Sequence, residues 1–264
     1  MPCTCVVCVC ADVRVGGEVG TLARTDATAQ AHTHTHMQDV ETFTISGKPV
    51  SVFGLDNYQG SHLGQDPTGS SVWMSSLVMS KILEERAAQG QVQDRKIVEI
   101  GAGLGVASLM AWRLGCTNIT VTDGDDTVVT LIQINAAAVH MESNEGDTWD
   151  ADVSSLPLVV HEYRYGQNPD FLGGPFDLVL CSDLIYLKIS DEMMGDLVAS
   201  CKLLVRARGE VLMAHAIRQA SQEQLQRFIQ WMEEEGFQHS TLPLGSGCPA
   251  HVHRCVEMHS FVKP

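Results

Sequence analysis

The chain has 264 residues, of which 17 are Lys or Arg and 32 are Asp or Glu, so its formal net charge is −15. This length fits one large domain with a tail and is sufficient for a buried core. The negative charge argues against binding of a nucleic-acid backbone by bulk electrostatics, but it leaves room for a basic protein partner. No apolar run approaches the roughly 20 residues that span a bilayer, and the N-terminus lacks the regions of a secretory signal. We therefore expect neither a nucleic acid nor a membrane as a partner.

The first 38 residues differ from the rest of the chain. Cysteines crowd the first ten residues and histidines alternate with threonines further on, namely Cys3, Cys5, Cys8, Cys10, His32, His34 and His36. These groups could hold a soft metal, and the cysteines could accept a lipid, but the low complexity favours a disordered leader. We predict this leader over residues 1–38, one domain over residues 39–264 and no metal site. The odd total of nine cysteines predicts reduced thiols and a cytoplasmic location, with the nucleus as a second location.

Two short segments with alternating apolar and polar residues open the domain, at 40–45 and 49–55, and the turn Ser46-Gly47-Lys48 separates them. This pattern predicts an N-terminal β-hairpin. A polar, glycine-rich loop follows, and then apolar spacing predicts a helix from Val72 to about residue 88. Trp73 lies at the start of that helix, where it is either a core residue or a side chain that covers a ligand.

A glycine-rich turn follows the next predicted strand. The apolar residues 97–100 indicate a buried strand, and Gly101, Gly103 and Gly105 come directly after it, ahead of a predicted helix at 106–114. A side chain at these glycines would keep the backbone from closing on a nucleotide-like ligand at the helix N-terminus. Glu99 precedes the first glycine, and its carboxylate would repel a pyrophosphate but suits a cation such as S-adenosylmethionine. The alternative is a plain tight turn in an α/β sheet.

An acidic residue ends the second predicted strand. Asp123 follows the strand at 119–122, about 20 residues after the glycines, and is placed to accept hydrogen bonds from a ribose diol. The alternative role is a helix cap, because a helix is predicted at 127–139 and carboxylates favour helix N-termini. We assign the capping role to Asp125 and Asp126, and the ligand role to Asp123.

The rest of the chain alternates predicted strands with predicted helices, after a polar, acidic segment that predicts a surface loop at 140–155. Strands are predicted at 158–162, 176–181, 209–215, 237–242 and 254–262, and helices over 190–204 and 221–236 with Ser190 and Ser221 as caps. This alternation predicts a parallel sheet with helices on both faces.

In such sheets ligands bind beyond the carboxyl ends of the strands. The turn Tyr163-Arg164-Tyr165-Gly166 follows one predicted strand, and we expect it to border an adenine ring. Ser182 and Asp183 follow the next strand, and Tyr186 comes three residues later. Asp183 could instead cap the following helix, but Ser190 is better placed for that role.

These motifs resemble a known family. The pattern Glu99-x-Gly101-x-Gly103-x-Gly105, the strand-end residue Asp123 and the strand at 176–180 resemble those of seven-stranded, S-adenosylmethionine-dependent methyltransferases. The pair Val72-Trp73 and the motif Asp183-x-x-Tyr186 resemble family 16 of the methyltransferase-like enzymes. That family consists mostly of lysine methyltransferases that act on single non-histone proteins.

The resemblance implies an α/β, Rossmann-like fold, with a seven-stranded, mostly parallel sheet and helices on both faces after the N-terminal hairpin. It implies S-adenosylmethionine as cofactor and an acceptor channel lined by the catalytic residues Asp183 and Tyr186. The cofactor would be held by Trp73, Glu99, Gly101, Gly103, Gly105, Asp123, Tyr165 and Ser182. One departure is that Tyr165-Gly166 stands where the family often has Trp-Gly.

We therefore expect a protein-lysine methyltransferase that acts as a monomer on a lysine-bearing protein. Two alternatives stay open, namely transfer to a small molecule or another side chain, and a scaffold without catalytic activity. An enzyme for a small acceptor usually carries a lid, and the sequence shows none beyond the acidic loop. The intact glycines, Asp123 and Asp183 count against a scaffold, which need not retain them.

Overall fold

The computed structural model describes residues 37–45, 48–55, 67–143, 158–186, 189–245 and 254–264. The cysteines and histidines of the predicted leader, most of the acidic loop, and Ser46 and Gly47 of the predicted turn lie outside these ranges.

In the described residues, strands and helices alternate largely as the sequence predicts. The strands are β1 (Met37–Ile45), β2 (Lys48–Leu55), β3 (Lys96–Ile100), β4 (Asn118–Asp123), β5 (Leu158–Glu162), β6 (Phe176–Ser182), β7 (Val205–Ala216), β8 (Gln238–Leu242) and β9 (Val256–Val262). The α-helices are α1 (Met74–Ala87), α2 (Val106–Arg113), α3 (Asp126–Ser143), α4 (Asp191–Leu204) and α5 (Gln222–Glu234).

Seven of these strands form one sheet in the order β5-β4-β3-β6-β7-β9-β8. The five strands from β5 to β7 run parallel, and β9 is antiparallel to both β7 and β8. From β3 the chain moves outward to β5 and then returns to β6 on the other side of β3. Ligands bind at such a reversal of strand order in open α/β sheets. β1 and β2 pair antiparallel in a separate two-stranded sheet.

Side chains alternate between two cores on opposite faces of the sheet, because successive strand residues point to opposite sides. In β3, Ile97 lies in one core and Val98 in the other, and in β6, Leu178 and Val179 divide in the same way. α1, α2 and α3 contribute to the first core, and α4 and α5 to the second. The predicted mostly parallel sheet with helices on both faces is confirmed.

Several element boundaries differ from the prediction. α1 begins at Met74 rather than Val72, because Trp73 has an extended backbone with φ −104° and ψ 143°. α3 continues to Ser143 and so includes the first four residues of the predicted acidic loop. β7 begins at Val205, directly after α4, four residues before the predicted start.

One of the two predicted serine caps is confirmed and the other is wrong. Ser190 precedes α4, and its Oγ accepts a hydrogen bond from the backbone N–H of Met193 at 3.1 Å. Ser221 precedes α5 but makes no capping bond with its side chain. Its Oγ lies 3.2 Å from Nε2 of the buried His215, whose polar ring needs a partner inside the protein.

Two further features concern the described residues only. None of their helices is both long and apolar enough to cross a bilayer. Their four cysteines, Cys116, Cys181, Cys201 and Cys255, are free.

Candidate functional site

A cavity of about 740 Å³ opens at the carboxyl ends of the parallel strands. Eight of the ten site residues predicted from the sequence line it, namely Trp73, Gly101, Gly103, Asp123, Tyr165, Ser182, Asp183 and Tyr186. The other two, Glu99 and Gly105, belong to the strand and the turn behind the wall. The cavity has the size of a typical small-molecule site, for which volumes run from roughly 300 to 1,000 Å³.

Two positions in the turn after β3, Gly101 and Gly103, favour a residue without a side chain. Gly101 and Gly103 have φ of +60° and +55°, which L side chains rarely adopt. A Cβ on Gly101 would lie 2.6 Å from both Leu184 Cδ2 and Tyr165 Oη, and one on Gly103 would lie 3.2 Å from the carbonyl oxygen of Gly69. The bare backbone therefore forms part of the cavity wall.

Glu99 is fully buried and joins β3 to the first turn of α2. One carboxylate oxygen accepts hydrogen bonds from the backbone N–H and the hydroxyl of Ser108, at 3.0 and 2.5 Å. The other oxygen has no hydrogen-bond partner among the described residues. Burial raises the pKa of Glu99 to about 7, against the opposing effect of the Ser108 bonds, and Asp123 raises it further. The predicted contact of Glu99 with a cofactor stays a prediction.

Asp123 ties the end of β4 to the glycine turn. Its two carboxylate oxygens accept hydrogen bonds from the backbone N–H groups of Gly103 at 3.0 Å and Asp125 at 3.1 Å. Burial raises the pKa of Asp123 to about 6, and these two bonds oppose the rise. Asp125 caps α3 as predicted, because its Oδ1 accepts from the N–H of Thr127 at 2.9 Å, whereas Asp126 is the first residue of the helix.

The turn after β5 borders the same cavity, and Ser200 of α4 holds it in place; its predicted contact with an adenine ring stays a prediction. Ser200 Oγ accepts hydrogen bonds from Tyr163 Oη at 2.8 Å and from the backbone N–H of Gly166 at 3.0 Å. Tyr163, Arg164 and Tyr165 all line the cavity. Burial raises the pKa of Tyr165 well above 10, so this side chain contributes a neutral hydroxyl at physiological pH.

The end of the cavity that contains Asp183 and Tyr186, called the acceptor end below, contains an ion pair that was not predicted from the sequence. Asp183 Oδ1 accepts hydrogen bonds from Arg218 Nη1 at 2.9 Å and from the backbone N–H of Ala216 at 3.2 Å, and Arg218 Nη2 bonds to Oδ2. The Arg218 guanidinium carbon also lies 5.6 Å from the centre of the Trp73 ring. Arg218 follows the end of β7, which neighbours β6 in the sheet. The sequence signal that could have identified Arg218 is a charged residue just after β7, the strand that follows β6 in the parallel sheet.

Two further predicted residues complete this end. Tyr186 Oη lies 3.4 Å from Met193 Sδ in a weak hydrogen bond. Ser182 Oγ is buried and has no hydrogen-bond partner among the described residues, although the residue lines the cavity. Because a buried hydroxyl without a partner is costly, Ser182 is a position at which a ligand would complete the hydrogen bonding.

The charges around the cavity suit a cation better than a phosphate. The charged lining residues are Asp123, Asp125, Asp183, Glu192 and Asp196 on the acidic side, and Arg164 and Arg218 on the basic side. Phosphate sites usually combine a helix N-terminus with basic side chains, and here carboxylates predominate. Together with the bare glycine turn and the unpaired Ser182 hydroxyl, this lining fits a cationic nucleoside such as S-adenosylmethionine.

Comparison with known proteins gives a family match and several similar relatives, two of which are described below. Residues 60–235 match a family model described as lysine methyltransferase. Protein N-terminal and lysine N-methyltransferase EFM7 of Yarrowia lipolytica is 27% identical over 248 residues, which cover 78% of this chain and 89% of the relative. Protein N-lysine methyltransferase METTL21A of Mus musculus is 29% identical over 176 residues, which cover 65% of this chain and 72% of the relative.

A solved structure shares the fold. The 16S rRNA N2 methyltransferase RsmC of T. Thermophilus, in complex with AdoMet and guanosine, superposes with a TM-score of 0.58 and 16% sequence identity. The match covers 87% of this chain and 51% of that chain, so this chain spans about half the length of RsmC. At this identity the likeness concerns the fold alone.

The glycine turn is testable with two arginine substitutions. We expect Gly103→Arg to abolish binding of S-adenosylmethionine in calorimetry, because the new side chain would enter the cavity and clash near Gly69. Gly90 provides the matched control, since its φ of +70° is equally unfavourable for a side chain but a Cβ there meets nothing within 4 Å. Gly90→Arg should retain binding, and retained binding in Gly103→Arg would contradict the assignment of the site.

The raised pKa of Glu99 predicts a pH dependence of stability. The folded state holds the Glu99 proton up to about pH 7, whereas the unfolded state releases it near pH 4.5, so this group stabilises the fold less as pH rises between these values. The shift corresponds to about 3 kcal/mol. Across this range, urea titrations should show wild type losing stability relative to Glu99→Gln by an amount of this order.

Glu210 shows the opposite pKa shift to Glu99 and therefore the opposite dependence of stability on pH. Burial opposes ionisation there, but the bonds from Arg86 outweigh it and lower the pKa of Glu210 below 4.5. Its contribution is therefore present above pH 4.5 and lost as the pH falls through the lowered value. If the free energies of unfolding of wild type and Glu99→Gln changed with pH in parallel, the pKa of Glu99 would not be raised by folding, and the prediction would be wrong.

Proposed function

The chain belongs to the lysine methyltransferase family, and we propose that it transfers a methyl group from S-adenosylmethionine to the side-chain amine of a lysine in a protein. The observation that carries this proposal is that one cavity joins the glycine turn and Asp123 to Asp183 and Tyr186. A scaffold without activity has no need for this second set of groups.

The residues present account for both halves of the site. We assign the cofactor to the glycine turn, Asp123 and Ser182, with Trp73 and Tyr165 beside it. When bound, S-adenosylmethionine supplies a methyl group on a positively charged sulfur, and the bonding electron pair stays with sulfur as the acceptor nitrogen forms its new bond to carbon. The chain supplies position, and positioning alone accounts for much of the acceleration of such displacements.

The acceptor must reach the site as a neutral amine with a free lone pair. Lysine has a reference pKa near 10.4, so its neutral form costs about 4.6 kcal/mol at pH 7. A carboxylate offers about four lone-pair sites, and three donors already occupy Asp183, two from Arg218 and one from Ala216. The remaining site on Oδ2 can accept one N–H of the amine and so direct its lone pair, with Tyr186 as a wall.

Exposed apolar side chains around the mouth support a protein as the acceptor. Trp73, Met193 and Ile217 are more than a third exposed, and each lies in or next to the cavity lining. Glu192 belongs to the same lining and would favour a basic segment around the target lysine. Aromatic side chains and Met are typical of protein contact surfaces.

A second acceptor is suggested by the name of the relative EFM7, which includes N-terminal methylation. An α-amine has a pKa near 8, so its neutral form costs only about 1 kcal/mol at pH 7.

We further infer that the domain of residues 39–264 acts as a monomer in the cytoplasm, and also in the nucleus. The free thiols of the described cysteines and the net charge of −15 support this inference.

A labelling experiment tests the acceptor. The chain is first titrated with S-adenosylmethionine in a calorimeter, and is then incubated with methyl-labelled cofactor and a methylation-poor cell extract. We expect binding and one or few labelled proteins, with the label on a lysine after proteolysis and mass spectrometry. Label on an N-terminal amine would select the second acceptor, label on small molecules would contradict both, and absence of binding would support a scaffold.

Substitution of Asp183 separates catalysis from binding. Asp183 has φ of +60°, which Asn tolerates well, so Asp183→Asn changes the charge with little backbone strain, whereas Asp183→Ala adds about 1–2 kcal/mol. We expect Asp183→Asn to keep binding the cofactor, with an affinity lowered by about tenfold or less, but to lose about 100-fold in turnover, because the amine loses its orienting carboxylate. The matched control is Asp191→Asn, an exposed acid of α4 paired with Arg227. Wild-type turnover in Asp183→Asn would contradict the assigned role.

A further inference from the structure

Arg218 makes close contacts with both walls of the acceptor end. Its guanidinium forms two parallel hydrogen bonds with the Asp183 carboxylate, the geometry of the strongest Arg–carboxylate pairs. The same group lies over Trp73, and all three residues line the cavity. The guanidinium of Arg218 therefore already occupies the side of Asp183 that would otherwise attract the ammonium group of a substrate lysine.

Asp183 and Arg218 differ in burial, and the more buried of the two depends more strongly on the ion pair. The Asp183 side chain is 6% exposed and that of Arg218 is 37% exposed. A buried carboxylate without a cation is costly, whereas a half-exposed guanidinium can be hydrated. His215 is the other basic side chain nearby, with Nδ1 4.0 Å from Asp183 Oδ1. Burial lowers the pKa of His215 below 6.5, so at neutral pH Arg218 supplies the charge that balances Asp183.

This balance bears on the proton that the acceptor has to lose. An unpaired carboxylate within about 4–6 Å of an amine stabilises its ammonium form and raises its pKa by about 1–3 units. Such a site would bind the substrate tightly in the form that cannot react. A carboxylate paired with Arg218 still offers a hydrogen-bond acceptor, but its net charge with the guanidinium is zero.

We propose that Arg218 is a positioning residue that neutralises Asp183, so that the acceptor nitrogen is oriented by a hydrogen bond without being stabilised as an ammonium ion. The role in methyl transfer rests on the proposed function, whereas the charge balance itself does not. The ammonium proton leaves to water at the open mouth before the nitrogen lone pair forms its bond to the methyl carbon.

Other titratable groups lie around this pair. His215 of β7 lies 4.0 Å from Asp183 and interacts in turn with Glu257 and His259 of β9. The same cavity is lined by Glu192 and Asp196 of α4, Asp123 of β4, Tyr165 and Tyr186. Burial lowers the pKa of His259 to about 4, so it is neutral above that pH. The acidic members remain the same in every variant below, and comparison between variants therefore isolates Arg218.

The first test needs no acceptor. Calorimetry compares S-adenosylmethionine, a cation at sulfur, with the uncharged thioether S-adenosylhomocysteine, in wild type, Arg218→Gln and Arg218→Lys. Gln keeps an N–H donor for Asp183 without the charge, whereas Lys keeps the charge. We expect the preference for the cation to rise about tenfold in Arg218→Gln, the factor that one pKa unit of charge interaction represents, and to stay near wild type in Arg218→Lys.

A double variant assigns the effect to Asp183. Asp183→Asn combined with Arg218→Gln removes both charges, so the preference should return close to the wild-type value. Asp183→Asn alone leaves Arg218 unbalanced and should lower the preference. These two variants decide the matter even if Arg218→Gln does not fold, since neither contains an unpaired buried carboxylate. An unchanged preference in Arg218→Gln, or in Asp183→Asn, would overturn the proposal.

The second test uses the lysine substrate found by labelling. In Arg218→Gln we expect KM for this substrate to fall and kcat at pH 7.5 to fall about tenfold, with the kcat–pH profile displaced upward by about one unit. Arg218→Lys should keep the wild-type profile. Equal profiles in the two variants would show that charge is irrelevant. If wild type binds cofactor but labels no amine, the proposed function fails, while the calorimetric comparison still decides the charge balance.

Discussion

The cavity depends on carboxylates at the ends of parallel strands that accept hydrogen bonds from backbone N–H groups of the next segments. Glu99 holds Ser108, Asp123 holds Gly103, and Asp183 holds Ala216. Each contact joins the end of one strand to a turn, a helix or a neighbouring strand. Because hydrogen bonds are stronger in a buried environment than in water, these three side chains keep irregular backbone in one arrangement around an open space.

These carboxylates also determine the electrostatics of the site. Burial raises the pKa of Glu99, behind the cavity wall, to about 7 and that of Asp123, in the lining, to about 6, so both hold their protons to a higher pH than free carboxyl groups do. Asp183 is balanced in another way, by the guanidinium of Arg218. The cavity is thus acidic enough to disfavour phosphate, while the Asp183 carboxylate at its acceptor end is paired with a cation. That combination suits a cationic cofactor next to an amine that has to be neutral.

The fold and the chemistry come from different parts of the structure. RsmC shares the sheet and helices at 16% identity, which shows how little of the sequence the architecture requires. The family match over residues 60–235 and the motif Asp183-x-x-Tyr186 carry the information about the acceptor. The function therefore depends on a few residues at strand ends, whereas the two cores mainly hold those ends together.

The sequence by itself determined the order of strands and helices, the parallel sheet and the position of the glycine turn. These follow from local hydrophobic periodicity and from the backbone angles that only glycine adopts easily. It also identified Asp123 and Asp183, because the carboxyl ends of parallel strands meet at one edge of the sheet.

Only the tertiary structure decided which groups these residues contact. Glu99 proved to hold α2 from behind the cavity wall, Ser221 proved to bond His215, and Arg218 proved to pair with Asp183. Arg218 and Asp183 are 35 residues apart in the chain, and they meet because β6 and β7 are neighbours in the sheet. Local patterns identify residues that can accept or donate, but the choice of partner depends on strand order and burial, which are properties of the whole fold.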